Sequence, residues 1–212
     1  MKGLFNIRTM AEVAVFAAIG FILDTLASAY SHALFHTGGS IGIAMICVMM
    51  ISFRRGLGAG ILTGFIMGLL DLADGFYTIA SSWYVVIAQV MLDYIIVYAL
   101  VGFAGLFRKL VIKEGKSKIH VGWLALGCTI GGLLKFASHF TAGVLFWKDA
   151  GANFWGVPGD SLLYSFLYNG AYMVPSIIAC VGIMILIGLK WPFLLKDANS
   201  VYLKDQSKNK GE

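Results

Sequence analysis

The sequence predicts an all-α integral membrane protein of six transmembrane helices, with both termini cytoplasmic. Three observations carry this expectation. Apolar residues fill 59% of the 212 positions and charged residues only 13%, and mean hydropathy is +0.83; soluble domains hold roughly 45–50% apolar and about 25% charged residues. The apolar residues gather into six runs divided by short polar segments. Lys and Arg concentrate in alternate segments. In lipid only helices and closed barrels leave no backbone group unpaired, and the alternation of barrel strands is absent.

The first run covers about 9–28. Lys2 and Arg8 precede it and Ala27-Ser28-Ala29 ends it, the outline of a cleavable signal peptide. Glu12 and Asp24 interrupt that outline and the rest of the chain is itself apolar, so a retained helix is expected. Ala14 and Ala18 give it a smooth face. The second run, about 40–53, is short and meets Arg54-Arg55. The third, about 56–72, carries Gly56, Gly60, Gly64 and Gly68 on one face, where another backbone can approach closely. These glycines follow an arginine pair rather than a strand and lack GxGxxG spacing, so they read as packing and not as a nucleotide loop. The fourth run spans about 84–107, the fifth about 120–147 and the sixth about 161–190, before a Lys-rich cytoplasmic tail, 191–212. Residues 1–212 are expected to form a single membrane domain.

Orientation follows from the cations. With the amino terminus inside, the inner segments hold Lys2, Arg8, Arg54, Arg55, Arg108, Lys109, Lys113, Lys116, Lys118 and the tail lysines, and the outer segments only Lys148. The net charge of +5 therefore sets topology. It forms no basic stripe interleaved with aromatics, and no nucleic-acid partner is expected. Cys47, Cys128 and Cys180 lie inside apolar runs without CxxC spacing and read as small core residues.

Ionisable residues inside spanning helices are functional candidates by default. Asp93 lies about nine residues into the fourth helix, roughly 13 Å deep at 1.5 Å per residue. Lys135 sits near the middle of the fifth, with His139, Gly143 and Trp147 continuing its face outward. Tyr164, Ser165, Tyr168 and Asn169 enter the sixth from outside. An acid, an imidazole and a carboxamide at similar depth, beneath aromatics, describe a pocket open to the outside. Such a pocket suits a cationic or amino-substituted aromatic ligand. In the alternative reading Asp93 and Lys135 neutralise each other as a buried pair. Asp24 and Asp71, near outer helix ends, are expected to be hydrated. His32 and His36 have the i, i+4 spacing of metal ligands but lack the Glu of HExxH and read as a solvated loop. No metal and no cofactor are expected.

Asp71-x-x-Asp74-Gly75 is similar to the acidic motif of membrane phosphatidyltransferases. The Ala-Arg and second aspartate pair of that family are missing, which leaves a lipid phosphotransferase as the minor alternative. No P-loop and no GxSxG elbow are present, so no enzyme activity is expected and any ATP hydrolysis must come from a partner.

The assembled residues resemble the thiamine-specific S components of energy-coupling factor (ECF) transporters over roughly 8–190. The carriers are Gly38-Gly39-Ser40, Ser52-Phe53-Arg54-Arg55-Gly56, Gln89 with Asp93-Tyr94, Lys135 with His139, Gly143 and Trp147, and Tyr164-Ser165 with Asn169-Gly170. The resemblance implies a six-helix subunit of the bacterial plasma membrane that binds thiamine from outside. It implies Asp93 and His139 as ligand contacts, Trp147 as a stacking surface, and Tyr94, Tyr164 and Asn169 as polar contacts. It also implies that the Ala14/Ala18 face docks a transmembrane coupling subunit driven by two ABC-type ATPases. An S component for another vitamin or a thiamine precursor is the alternative within the class.

Overall fold

The computed structural model describes residues 6–35, 38–78, 82–113, 118–147, 153–154, 156–158 and 162–196. Six helices follow in order: α1 (Ile7–Ser31), α2 (Met45–Arg55), α3 (Leu57–Asp74), α4 (Trp83–Val111), α5 (Val121–Phe146) and α6 (Leu162–Lys190). A short 3-10 turn, Pro192–Leu195, closes the described chain. Asn6 caps α1, its side chain accepting the Arg8 N–H at 3.0 Å. His36, Lys116, Lys148 and the tail beyond Lys196 lie outside the described residues.

All helices but α2 are long and apolar enough to cross a bilayer. With 11 residues, α2 reaches only about 16 Å at 1.5 Å per residue, short of a core about 30 Å thick. It sits in the middle of the bundle instead. Val48, Met49 and Phe53 pack with Val97 and Val101 of α4, Leu124 and Cys128 of α5, and Met173 and Met184 of α6. The three cysteines are buried free thiols.

The helix expected from residue 40 begins only at Met45. Gly38 and Gly39 have φ of +102° and +97°, which ends any helix there, and the chain runs without regular secondary structure to Ile43. Its backbone polar groups are met by side chains. The Ile41 N–H donates to Ser31 Oγ at 3.1 Å and the Gly42 N–H to Ser176 Oγ at 3.0 Å. Tyr30 donates its hydroxyl to the Ile41 carbonyl, and Tyr168 donates to the Gly38 carbonyl at 2.8 Å. Non-helical backbone at membrane depth is tolerated only when protein satisfies it in this way.

One end of the bundle is tied by arginines. Glu12 of α1 receives Arg54 at 2.9 Å and Arg55 at 2.7 Å. Arg54 also donates to the Lys196 carbonyl at 2.7 Å, and Arg108 of α4 donates to the Phe53 carbonyl at 2.8 Å. The start of α1 and the ends of α2, α4 and the 3-10 turn therefore meet at one pole.

The glycine face of α3 lies against α4. A Cβ at Gly64 would overlap the Tyr98 carbonyl and one at Gly68 the Tyr94 carbonyl, both backbone atoms unable to swing aside. Gly64→Ala is expected to lower thermal stability in detergent, because overpacking costs about 1–3 kcal/mol, more than the roughly 1 kcal/mol that Ala gains over Gly in a helix. Gly182→Ala, where a Cβ meets nothing, is the control and should be neutral or slightly stabilising. Equal melting temperatures for the two variants would refute the close α3–α4 contact.

Candidate functional site

Opposite the arginine pole, the helices enclose a cavity of about 260 Å³, near the lower end of the roughly 300–1,000 Å³ usual for small-molecule sites. All seven side chains expected at a ligand site line it: Asp93 and Tyr94 from α4, Lys135, His139 and Trp147 from α5 and its C-cap, and Tyr164 and Asn169 from α6. Helical period alone accounts for much of this. Lys135, His139 and Gly143 recur every four residues and share one face.

The α4 contribution depends on a break in regularity. Met91–Ile95 forms a π-turn, with the Ile96 N–H bonded back to the Met91 carbonyl, and Ser138 Oγ of α5 donates to the Leu92 carbonyl at 2.7 Å. A π-turn takes up one extra residue. The face that carries Asp93 is therefore continued by Tyr98, five residues on, while Val97 turns into the core with no exposure.

Asp93 does not pair with Lys135. One carboxylate oxygen lies 3.5 Å from His139 Nδ1 and the other accepts the Trp147 indole N–H at 3.2 Å. The buried-pair alternative is thus replaced by an acid–imidazole–indole cluster. Lys135 is 8% exposed and its ammonium stands 3.5 Å from the Tyr98 ring centroid, a cation–π contact. Among the described residues no carboxylate lies within ion-pair distance of it.

Aromatics wall the upper cavity. Tyr77 stacks on Trp147, centroids 5.6 Å apart, and its N–H donates to the Tyr94 hydroxyl at 3.0 Å. Tyr164 stacks on Tyr168 at 5.6 Å, and His139 meets Tyr172 edge-on at 5.9 Å. Asn169 is buried and held in place. Its amide donates to the Ser165 carbonyl at 2.8 Å and its carbonyl accepts the Tyr172 hydroxyl. The close α5–α6 approach that permits this needs Gly143, whose Cβ would strike Ser165 Oγ.

Several lining residues were not expected. Asp24 and Asp71 line the cavity; Asp24 is only 9% exposed, which corrects its expected place in solvent, while Asp71 is half-buried. Asp24 faces inward because α1 packs against α3, information that α1's own sequence lacks. Tyr98, Tyr172 and, from the irregular segment before α2, Gly38, Gly39, Ser40 and Gly42 also contribute. Tyr172, three residues after Asn169 on the same helix, was discoverable from period; Tyr98 was hidden by the π-turn. Asp74 is exposed and outside the cavity, and among the described residues no three His, Cys, Asp or Glu side chains group as a metal site. His32 is exposed in the turn after α1.

Residues 10–196 match the family described as Thiamine transporter protein (Thia_YuaJ). The chain is similar to the thiamine transporter ThiT of Bacillus subtilis (strain 168), with 34% identity across 88% of this chain and 93% of that protein. It is also similar to the thiamine transporter ThiT of Lacticaseibacillus paracasei, with 30% identity across 91% and 94% of the two chains. A solved structure of ThiT from Listeria monocytogenes superposes with a TM-score of 0.69 at 26% identity, over 89% of this chain and 97% of that one. Five spanning helices, a cavity built across α4, α5 and α6, and these likenesses together place the chain, as a multi-pass membrane protein and not an enzyme, in the thiamine transporter family.

Proposed function

We propose that this chain is the thiamine-binding S component of an ECF-type uptake transporter, acting as a single membrane domain. The observation that carries the reading is Asp93 held between His139 and Trp147 in an aromatic-walled cavity. Thiamine joins a cationic thiazolium ring to an aminopyrimidine. A fixed carboxylate attracts the cation, and the faces of Trp147 and the surrounding tyrosines add stacking and cation–π contact in a site where little water competes. Tyr94, Tyr164 and Asn169 orient the ligand through polar contacts, Asn169 already fixed by Ser165 and Tyr172.

The excess of Lys and Arg at the Glu12–Arg54–Arg55 pole supports placing that end, and both termini, in the cytoplasm. The cavity then faces outside, the direction from which an uptake system takes its ligand. Transport energy comes from a transmembrane coupling subunit and two ABC-type ATPases. Ala14 and Ala18 are exposed on α1, beside Val15 and Ile19, which are 55% and 44% exposed, and offer that subunit a smooth docking face.

Titration of detergent-solubilised protein, prepared from thiamine-free culture, tests the reading through tryptophan fluorescence. Stacking of the ligand on Trp147 should quench emission saturably at one thiamine per chain, with biotin and riboflavin inert. Saturable quenching by one of those vitamins and not by thiamine would assign the subunit to another ligand.

A further inference from the structure

At the arginine pole the cations divide into two kinds. Arg54 and Arg55 are neutralised by Glu12, and Arg108 donates to the Phe53 and Arg54 carbonyls. Lys109, Lys113 and Lys118 are exposed, and among the described residues no carboxylate lies within ion-pair distance of any of them. They are nonetheless held close to one another. The His120 N–H donates to the Val111 carbonyl at 3.0 Å, pinning the end of α4 to the start of α5, and each of these lysines lies within two residues of that bond. Ile119 packs against the core, so Lys118 and His120 flank an anchored residue.

Beside these cations the surface turns apolar. Phe107 stacks on Trp123, centroids 6.1 Å apart, joining the two helices, and a shallow groove runs over Gly122, Trp123 and Leu126 next to His120. Leu106 and Leu110 of α4 are exposed along with Trp123 and Leu126, and the strip continues on α5 to Leu133, midway along the helix and also exposed. Unneutralised cations at the membrane surface, continued by an apolar strip towards the bilayer centre, match a molecule that carries an anionic headgroup on an acyl chain. We propose that the ends of α4 and α5 at this pole form a docking site for one anionic phospholipid. Lys109, Lys113, Lys118 and His120 hold the phosphodiester, and an acyl chain lies along Leu110, Trp123 and Leu126. The site is independent of what the cavity binds. It is also separate from the Ala14/Ala18 face, since α1 packs on α2 and α3.

Native mass spectrometry of the delipidated full chain in detergent, titrated with phosphatidylglycerol or with phosphatidylcholine of identical acyl chains, tests the site. Wild type should retain one phosphatidylglycerol per chain, at least about 30-fold more tightly than phosphatidylcholine. Lys109→Gln combined with Lys118→Gln should weaken phosphatidylglycerol roughly 30-fold, about fivefold for each lysine, and leave phosphatidylcholine unchanged. Lys2→Gln combined with Arg8→Gln removes the same formal charge from the start of α1 and should keep the preference. The ratio of the two lipids is insensitive to the folded fraction, so a variant that folds poorly still reports.

Absence of a preference in wild type overturns the proposal. A preference lowered equally by both double variants overturns it in favour of a diffuse attraction between the whole pole and charged lipid. Displacement of phosphatidylglycerol by glycerol 1-phosphate at matching concentration overturns it in favour of a free-anion site, because the soluble headgroup lacks the chain that the apolar strip holds. If Lys109→Gln with Lys118→Gln keeps the lipid preference but no longer co-purifies with the coupling subunit, the surface belongs to that protein and not to a lipid.

Discussion

Replacing Asp93 by Asn should weaken thiamine binding by roughly 10- to 150-fold, the span of about 1.5–3 kcal/mol that a hydrogen bond to a charged group contributes. The substitution isolates the charge. An asparagine carbonyl can still accept the Trp147 indole N–H that Asp93 accepts at 3.2 Å, so the wall of the cavity stays in place. What disappears is the attraction for a cationic ring in a site shielded from solvent. Asp74→Asn, on an exposed carboxylate outside the cavity, removes the same formal charge from α3 and should leave affinity unchanged. Calorimetric titration of both variants reads the difference. Equal affinities for Asp93→Asn and wild type would reduce Asp93 to an anchor for Trp147.

Substituting Ala14 and Ala18 together by Trp should abolish thiamine uptake in cells while leaving thiamine affinity of the isolated subunit intact. Small residues four apart let another helix approach closely, and an indole at each position holds the surfaces apart. From sequence alone the alanines could have packed inside the bundle. The inward face of α1 is instead made by Val13 and Ala17, both with no exposure, and Ala14 and Ala18 point outward. Large apolar side chains there meet lipid in the isolated subunit, which costs little. Neither alanine lines the cavity, whose α1 contribution is Asp24 and Ser28, so the ligand site is not touched by the change. Co-purification with the coupling subunit, uptake and binding are measured for the same variant. Normal uptake, or lost binding, would each sink the docking assignment.

That α1, α3, α4, α5 and α6 are helices was legible because lipid leaves the backbone few choices, and an apolar run of spanning length must close its hydrogen bonds within a helix. The face of α5 with Lys135, His139 and Gly143, and that of α6 with Ser165, Asn169 and Tyr172, follow from the helical period. The Gly64 and Gly68 stripe announced a close neighbour, and the cation asymmetry suggested which end lies inside. These are properties of one helix at a time, and a single chain segment encodes them.

The tertiary structure decided what depends on two helices at once. That Tyr98 and not Val97 continues the face of Asp93 follows from a π-turn whose Leu92 carbonyl is taken by Ser138 of a different helix, and that Asp93 meets His139 and not Lys135 is set by how α4 and α5 pack. Residues 40–43 leave the helix because Ser31 and Ser176 satisfy the backbone, the latter 134 positions from Gly42. Asp24 and Asp71 join the cavity only because α1 and α3 pack so that both faces turn inward. Period fixes the angle of a side chain about its own helix axis. The rotation of that axis against its neighbours is set by close packing of small residues and by side chain-to-backbone bonds distant in sequence, so the depth and membership of the cavity are properties of the assembled bundle.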